Sequence, residues 1–175
     1  GSAYASEQIW NAVVELKAVK PVIVSMGTYA ASGGYYISCA ANSIVAEPTT
    51  LTGSIGIFGL IPDGTELAKK MGLSFDEVKT NKHSAFGGQT FGIPFLVSAQ
   101  SRGFTDDESA LLQGYIERGY DLFITRCADG RSKTKAEIDS IGQGRVWTGL
   151  QALEIGLVDK IGGLNDAIKI AAETA

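Results

Sequence analysis

PVIVSMGTYAASGGYYISCAANSIVA, residues 21–46, contains no Asp, Glu, Lys or Arg, and after it only Glu47 is charged before Asp63. A lipid-spanning helix would have that length, but Pro21, Gly27, Gly33, Gly34 and scattered Ser, Thr and Asn make it a poor one. The run therefore reads as buried α/β core. PVIVSM (21–26) is short, continuously apolar and β-branched, as expected of a parallel strand covered on both faces. GTYAAS (27–32) reads as a loop. Gly33 and Gly34 then open a helix over YYISCAA, whose small residues let it lie close against a sheet, and SIVA (43–46) reads as the next strand.

Upstream, SEQIWNAVVELKA (6–18) places Ile9, Trp10, Val13, Val14 and Leu16 at helical spacing, with Ser6 available as a cap. Downstream, TELAKKMG (65–72) reads as a helix ended by glycine, and FDEVKT (75–80) as a strand. Residues 81–104 carry Gly87, Gly88, Gly92, Pro94 and Gly103 without clear periodicity, and the apolar patch FGIPFLV (91–97) marks them as a functional or partner-contacting loop. Thr105 and Glu108 form a capping box ahead of a long helical pattern, and Thr134 with Glu137 forms a second. The remainder alternates short helices with one strand expected around Leu157 and Val158. The fold class expected is α/β, a mostly parallel sheet flanked by helices, with residues 1–175 as a single domain.

The chain has 175 residues, 45% of them apolar and 19% charged, which suits a packed globular domain and excludes disorder as the main state. Fifteen basic against nineteen acidic residues give a net charge of −4 with no basic run, so no nucleic-acid partner is expected. Glycine, at 22 residues, is well above average usage and implies many tight turns or close backbone approaches. Cys39, Cys127 and the single histidine, His83, fit no zinc spacing, and no GxGxxG, P-loop or HExxH spelling occurs, so no metal and no cofactor is expected. The chain does not begin with Met and reads as a piece of something longer.

Chemistry has one natural place. Ser32 follows the buried strand and precedes Gly33 and Gly34 at a helix start, where unpaired N–H groups and the positive dipole end stabilise an oxyanion. Two readings remain open on spacing: a nucleophile turn, although the spelling is not G-x-S-x-G, or a plain N-cap. Tyr29, Tyr35, Tyr36 and Ile57 flank the position, as walls of an apolar cleft or as core packing. Trp147 reads as structural, and Arg145 and Asp159 as an ion pair or caps.

MGTYAASGGYYIS (26–38) resembles the nucleophile segment of the signal peptide peptidase A (protease IV) family, in the Clp and crotonase superfamily. TLTGSIGIFG (50–59), GRVWTGLQALEIGLVDKIGGLNDAI (144–168) and the opening GSAYASEQI resemble the same family, so the likeness covers nearly the whole chain. It implies a Clp/crotonase-like fold and a serine endopeptidase acting on apolar segments such as cleaved signal peptides. It implies Ser32 as nucleophile, the Gly33 N–H as oxyanion donor, and Ser54 of T-G-S-I-G as the hydroxyl that orients a catalytic lysine. A second oxyanion donor in the family comes from an S-P-G-G turn, whose tail corresponds to Gly1 and Ser2.

The family's base is a lysine, which must be desolvated to be neutral near pH 7. In single-length members the lysine falls where FDEVKTNKHSAFGG places Ser84, which cannot serve. In double-length members the serine comes from the carboxyl-terminal half and the lysine from the amino-terminal half. The resemblance therefore implies that this chain is a carboxyl-terminal half, with the amino-terminal half as partner, in a homo-oligomer on the bacterial inner membrane facing the periplasm. Anchoring then falls to segments outside this chain, and the chain by itself is expected to be soluble and inactive. Lys82 reads as a solvated surface lysine rather than a substitute base. Rival readings are a Clp-type Ser, His, Asp site using His83 with Asp106 or Asp129, a non-catalytic scaffold half, and an acyl-CoA enzyme suggested by ALEIGLVD (152–159).

Overall fold

In the computed structural model, which describes residues 2–92 and 98–175, the uncharged run forms two strands, a short third strand between them, and a helix. The elements in chain order are α1 (Ala3–Lys17), β1 (Ile23–Met26), β2 (Tyr29–Ala31), α2 (Gly33–Ser38), β3 (Ser43–Ala46), β4 (Leu51–Gly53) and α3 (Thr65–Lys70). They continue with β5 (Thr90–Gly92), β6 (Ser98–Gln100), α4 (Asp106–Arg131), α5 (Lys135–Ile141), β7 (Val146–Thr148), α6 (Gly149–Glu154), β8 (Lys160–Ile161) and α7 (Leu164–Thr174). The residues divide into two compact units, Gly1–Ile57 with Gly119–Ala175, and Phe58–Arg118.

The first unit holds two sheets. β1, β3 and β8 lie in that order and are all parallel, with Ile23 opposite Ser43 and Val45 opposite Lys160. β2, β4 and β7 form the other; β2 and β4 are parallel with Ala31 opposite Gly53, and β7 returns antiparallel. Tyr35, Ile44, Ile55, Ile138 and Leu157 are fully buried between these strands and their helices. Each such aliphatic side chain contributes about 1.5–3 kcal/mol by leaving water. The Tyr35 hydroxyl, too polar to be buried bare, donates to the Leu157 carbonyl at 2.9 Å. The α/β class with a mostly parallel sheet is thus as expected.

Several local readings need correction. The cap of α1 is Ser2, whose Oγ accepts from the Ala5 amide, while Ser6 lies inside the helix and is buried. GTYAAS is not all loop: Tyr29–Ala31 forms β2, too short and too alanine-rich to announce itself. The terminal strand is at Lys160–Ile161 rather than at Leu157 and Val158, and β7 accompanies it. Asp159 pairs with Arg131, whose Nη1 donates to it at 3.0 Å; Arg145 donates instead from Nη2 to Gln143 at 3.0 Å.

In the second unit α3 ends as read, with Gly72 at φ +70°. FDEVKT forms no strand. Within residues 81–104 a short antiparallel pair, β5 with β6, brings Phe91 opposite Ala99, so part of the expected loop is a ladder. The patch 91–97 includes residues 93–97, which lie outside the described residues. Both capping boxes are present: Thr105 and Glu108 exchange hydrogen bonds at 2.9 and 3.3 Å, and Thr134 and Glu137 at 2.7 and 3.2 Å.

Candidate active site

Ser32 and Ser54 stand side by side because their strands do. β2 and β4 run parallel, Ala31 is the partner of Gly53, and the next residue of each strand is a serine. Crevices beyond the carboxyl ends of parallel strands are where open α/β sheets present chemistry. The two backbones are tied across the gap: the Ser32 amide donates to the Gly53 carbonyl at 2.8 Å, and Thr52 Oγ1 donates to the Ala30 carbonyl at 2.8 Å. Ser54 is anchored on its other side, donating from its amide to the Arg145 carbonyl at 2.7 Å.

Both serines have left-handed backbone, Ser32 at φ 54° and Ser54 at φ 49°. With ψ at −117°, Ser32 occupies the first central position of a type II′-like turn, which glycine normally fills. A side chain held there costs about 1–3 kcal/mol. Gly53, at φ +76°, could not be replaced: a Cβ there would lie 2.8 Å from the Trp147 ring. Trp147 has the structural role expected of it, its indole N–H donating to the Ile141 carbonyl at 3.0 Å.

The N-cap reading of Ser32 fails on geometry. Ser32 sits at the cap position of α2, but its side chain makes no cap hydrogen bond, and its backbone lies outside the extended region that caps use. The residue is half-buried, so the hydroxyl is neither satisfied by the helix nor sealed in the core. Gly33 and Gly34 follow as the first residues of α2, with amides that no preceding turn can use. The first turn of α1 abuts them: a Cβ on Gly33 would come 2.9 Å from Ser6 Oγ. Sequence reading missed that contact, since Ser6 looked like a cap and nothing in its spacing points toward Gly33. Gly1 lies outside the described residues, and Ser2 caps α1.

A groove of about 340 Å³ flanks the turn, lined mainly by Ile9, Val13, Val24, Met26, Tyr29 and Ile37. Tyr29 is 74% exposed at its rim, whereas Tyr35 and Tyr36 belong to the core. The other candidates lie in the second unit, on an exposed turn. Lys82 is exposed and ion-paired with Asp107, Ser84 donates to the Asn81 carbonyl at 3.1 Å, and among the described residues the His83 imidazole makes no hydrogen bond to Asp106. Among the described residues no lysine is buried. Among the described residues no group of three or more His, Cys, Asp or Glu is placed to hold a metal ion, and no helix is long and apolar enough to cross a membrane.

The model of peptidase family S49 matches residues 14–175. Protease 4 of Salmonella typhi is 44% identical over 176 residues, spanning 100% of this chain and 26% of that protein. Protease 4 of Haemophilus influenzae is 41% identical over 99% of this chain and 26% of its own length; the chloroplastic serine protease SPPA of Arabidopsis thaliana is 38% identical over 100% and 24%. The chain thus spans about a quarter of these relatives. Among solved structures, a ClpP1 mutant of Listeria monocytogenes superposes with a TM-score of 0.53 at 16% identity, over 96% of this chain and 71% of that one. A mutant of the 1510-N membrane-bound stomatin-specific protease gives 0.54 at 15% identity, over 97% and 63%. At such identities the likeness establishes a Clp-like fold and nothing finer.

Proposed function

The chain belongs to peptidase family S49, and from that membership we propose that residues 1–175 make one serine endopeptidase domain in which Ser32 is the nucleophile. The observation that carries this is the backbone of Ser32: a serine kept at a glycine conformation, with its hydroxyl unused as a cap, at the end of a parallel strand. Strain of this kind persists where the surrounding structure enforces it, and a turn that lifts a hydroxyl off a strand end is a recurrent way to expose a nucleophile.

In this reading Ser32 Oγ attacks the scissile carbonyl carbon while its proton passes to a neutral lysine amine. The Gly33 N–H donates to the oxyanion, and the ammonium then protonates the leaving amine. Water hydrolyses the acyl-enzyme by the reverse traffic through the same lysine. The Ser54 hydroxyl, one strand away, orients the amine. The absence of any buried lysine among the described residues supports a base lent from outside the chain, from an amino-terminal half of the same enzyme. The relatives' fourfold greater length leaves room for such a half. The apolar groove beside the turn suits apolar peptides such as cleaved signal peptides. Assembly as a homo-oligomer at the bacterial inner membrane, facing the periplasm, completes the proposal.

Peptide hydrolysis by the full-length enzyme tests it. Ser32→Ala should abolish cleavage, leaving the fold intact; unchanged cleavage would instead favour a scaffold role for this half.

A further inference from the structure

A half-buried carboxylate joins three helices next to the Ser32 turn. Glu7 of α1 accepts from the Tyr36 hydroxyl of α2 through Oε2 and from Arg126 Nη2 of α4 through Oε1, the latter at 2.5 Å. The Arg126 guanidinium in turn lies over Trp10 of α1, its Cζ 3.9 Å from the ring centroid. Burial works against the Glu7 carboxylate, but hydrogen bonds from Arg126 and Tyr36 more than offset it and keep its pKa below the ordinary value. The charge is thereby held at neutral pH.

The location of this network sets its consequence. Tyr36 is one turn beyond Ser32, and its amide donates to the Ser32 carbonyl at 2.9 Å. Ser6, the neighbour of Glu7, is 8% exposed, donates to the Ser2 carbonyl at 3.0 Å, and touches the space where Gly33 lacks a side chain. α2 has only six residues, and Tyr35 anchors one side of it in the core through the Leu157 carbonyl, so the tie from Tyr36 to Glu7 supplies a second point that sets its rotation about its axis. A change in that rotation would re-aim the Gly33 amide.

We propose that Glu7 is a positioning residue, which grips the Tyr36 hydroxyl and so fixes the rotation of α2 that aims the Gly33 amide at the oxyanion. The inference rests on Ser32 and Gly33 acting as described above. An interaction felt only through the oxyanion appears in the transition state and not in substrate binding. Its loss therefore lowers kcat and spares KM.

The test uses peptide hydrolysis by the full-length enzyme, with urea unfolding alongside. Tyr36→Phe removes only the hydroxyl and should lower kcat about tenfold or more, with KM within about twofold. Glu7→Ala should be at least as impaired, and Glu7→Gln, whose amide oxygen still accepts from Tyr36, should recover part of the loss. If Tyr36→Phe and folded Glu7→Gln both keep kcat within about twofold of the parent, or if kcat and KM worsen together in step with lost stability, Glu7 is only a structural tie. Ser32→Ala separates the two levels. An inactive Ser32→Ala beside a fully active Tyr36→Phe sinks the positioning role alone, whereas an active Ser32→Ala sinks the nucleophile and this inference with it.

Discussion

Ser32 combines a conformational cost with the chemical use proposed for it, and the two can be separated by substitution. Ser32→Ala and Ser32→Gly both delete the hydroxyl, but only glycine is at ease at φ 54°. Strain relief of about 1–3 kcal/mol, less about 0.5–1 kcal/mol of extra chain entropy, makes Ser32→Gly more stable than Ser32→Ala by about 1 kcal/mol. Urea unfolding of the two variants checks it; equal midpoints would remove the argument from strain. If Ser54 orients the base as proposed, Ser54→Ala should leave stability nearly unchanged and reduce kcat by about tenfold or more, since such a hydroxyl acts on rate. From the sequence, AASGG between a buried strand and a helix sufficed to single out Ser32, but not to decide between cap and nucleophile. That choice depends on φ and ψ, which local composition does not encode for a serine. The Glu7, Tyr36 and Arg126 network was not legible either, because it joins three helices far apart in the chain.

At the scale of elements, capping boxes were readable because they are local. Thr105 and Glu108, like Thr134 and Glu137, lie only three residues apart in the chain. Thr134→Ala should therefore cost about 1 kcal/mol, measurable by urea unfolding. Glu108 does more than cap. It is 2% exposed and also accepts from Arg102 at 2.7 and 2.9 Å and from the Gly87 amide at 3.2 Å. Arg102 foremost, then the Thr105 amide, hold its carboxyl well below the usual carboxylate range. A depressed folded pKa contributes stability that is fully present above the unfolded value, about 4.3, and is lost as pH falls toward the folded one. Glu108→Gln should thus lower the urea midpoint at pH 7 and narrow the gap to the parent at pH 3; an unchanged gap would show that the ion pair is not linked to unfolding. Strands of three residues, such as β2 and β7, were missed for the opposite reason: their partners, not their own residues, make them strands.

For the molecule as a whole, the lightly charged composition and the uncharged run 21–46 already pointed to parallel core strands; β3 is buried as expected, but β1, at the edge of its sheet, is only half-buried apart from Met26. What no reading of this chain supplies is a base. Every lysine in it is accounted for outside the core, including Lys82, ion-paired with Asp107. In the function proposed, activity is a property of an assembly, and the isolated chain should fold without being reactive. A fluorophosphonate probe reports this directly, since it phosphonylates a serine only when a base has activated it. The full-length enzyme should be labelled at Ser32, identified by peptide mass mapping, and this chain alone should stay unlabelled until the amino-terminal half is added. Strong labelling of Ser32 in the isolated chain, or none in the full-length protein, would contradict the account.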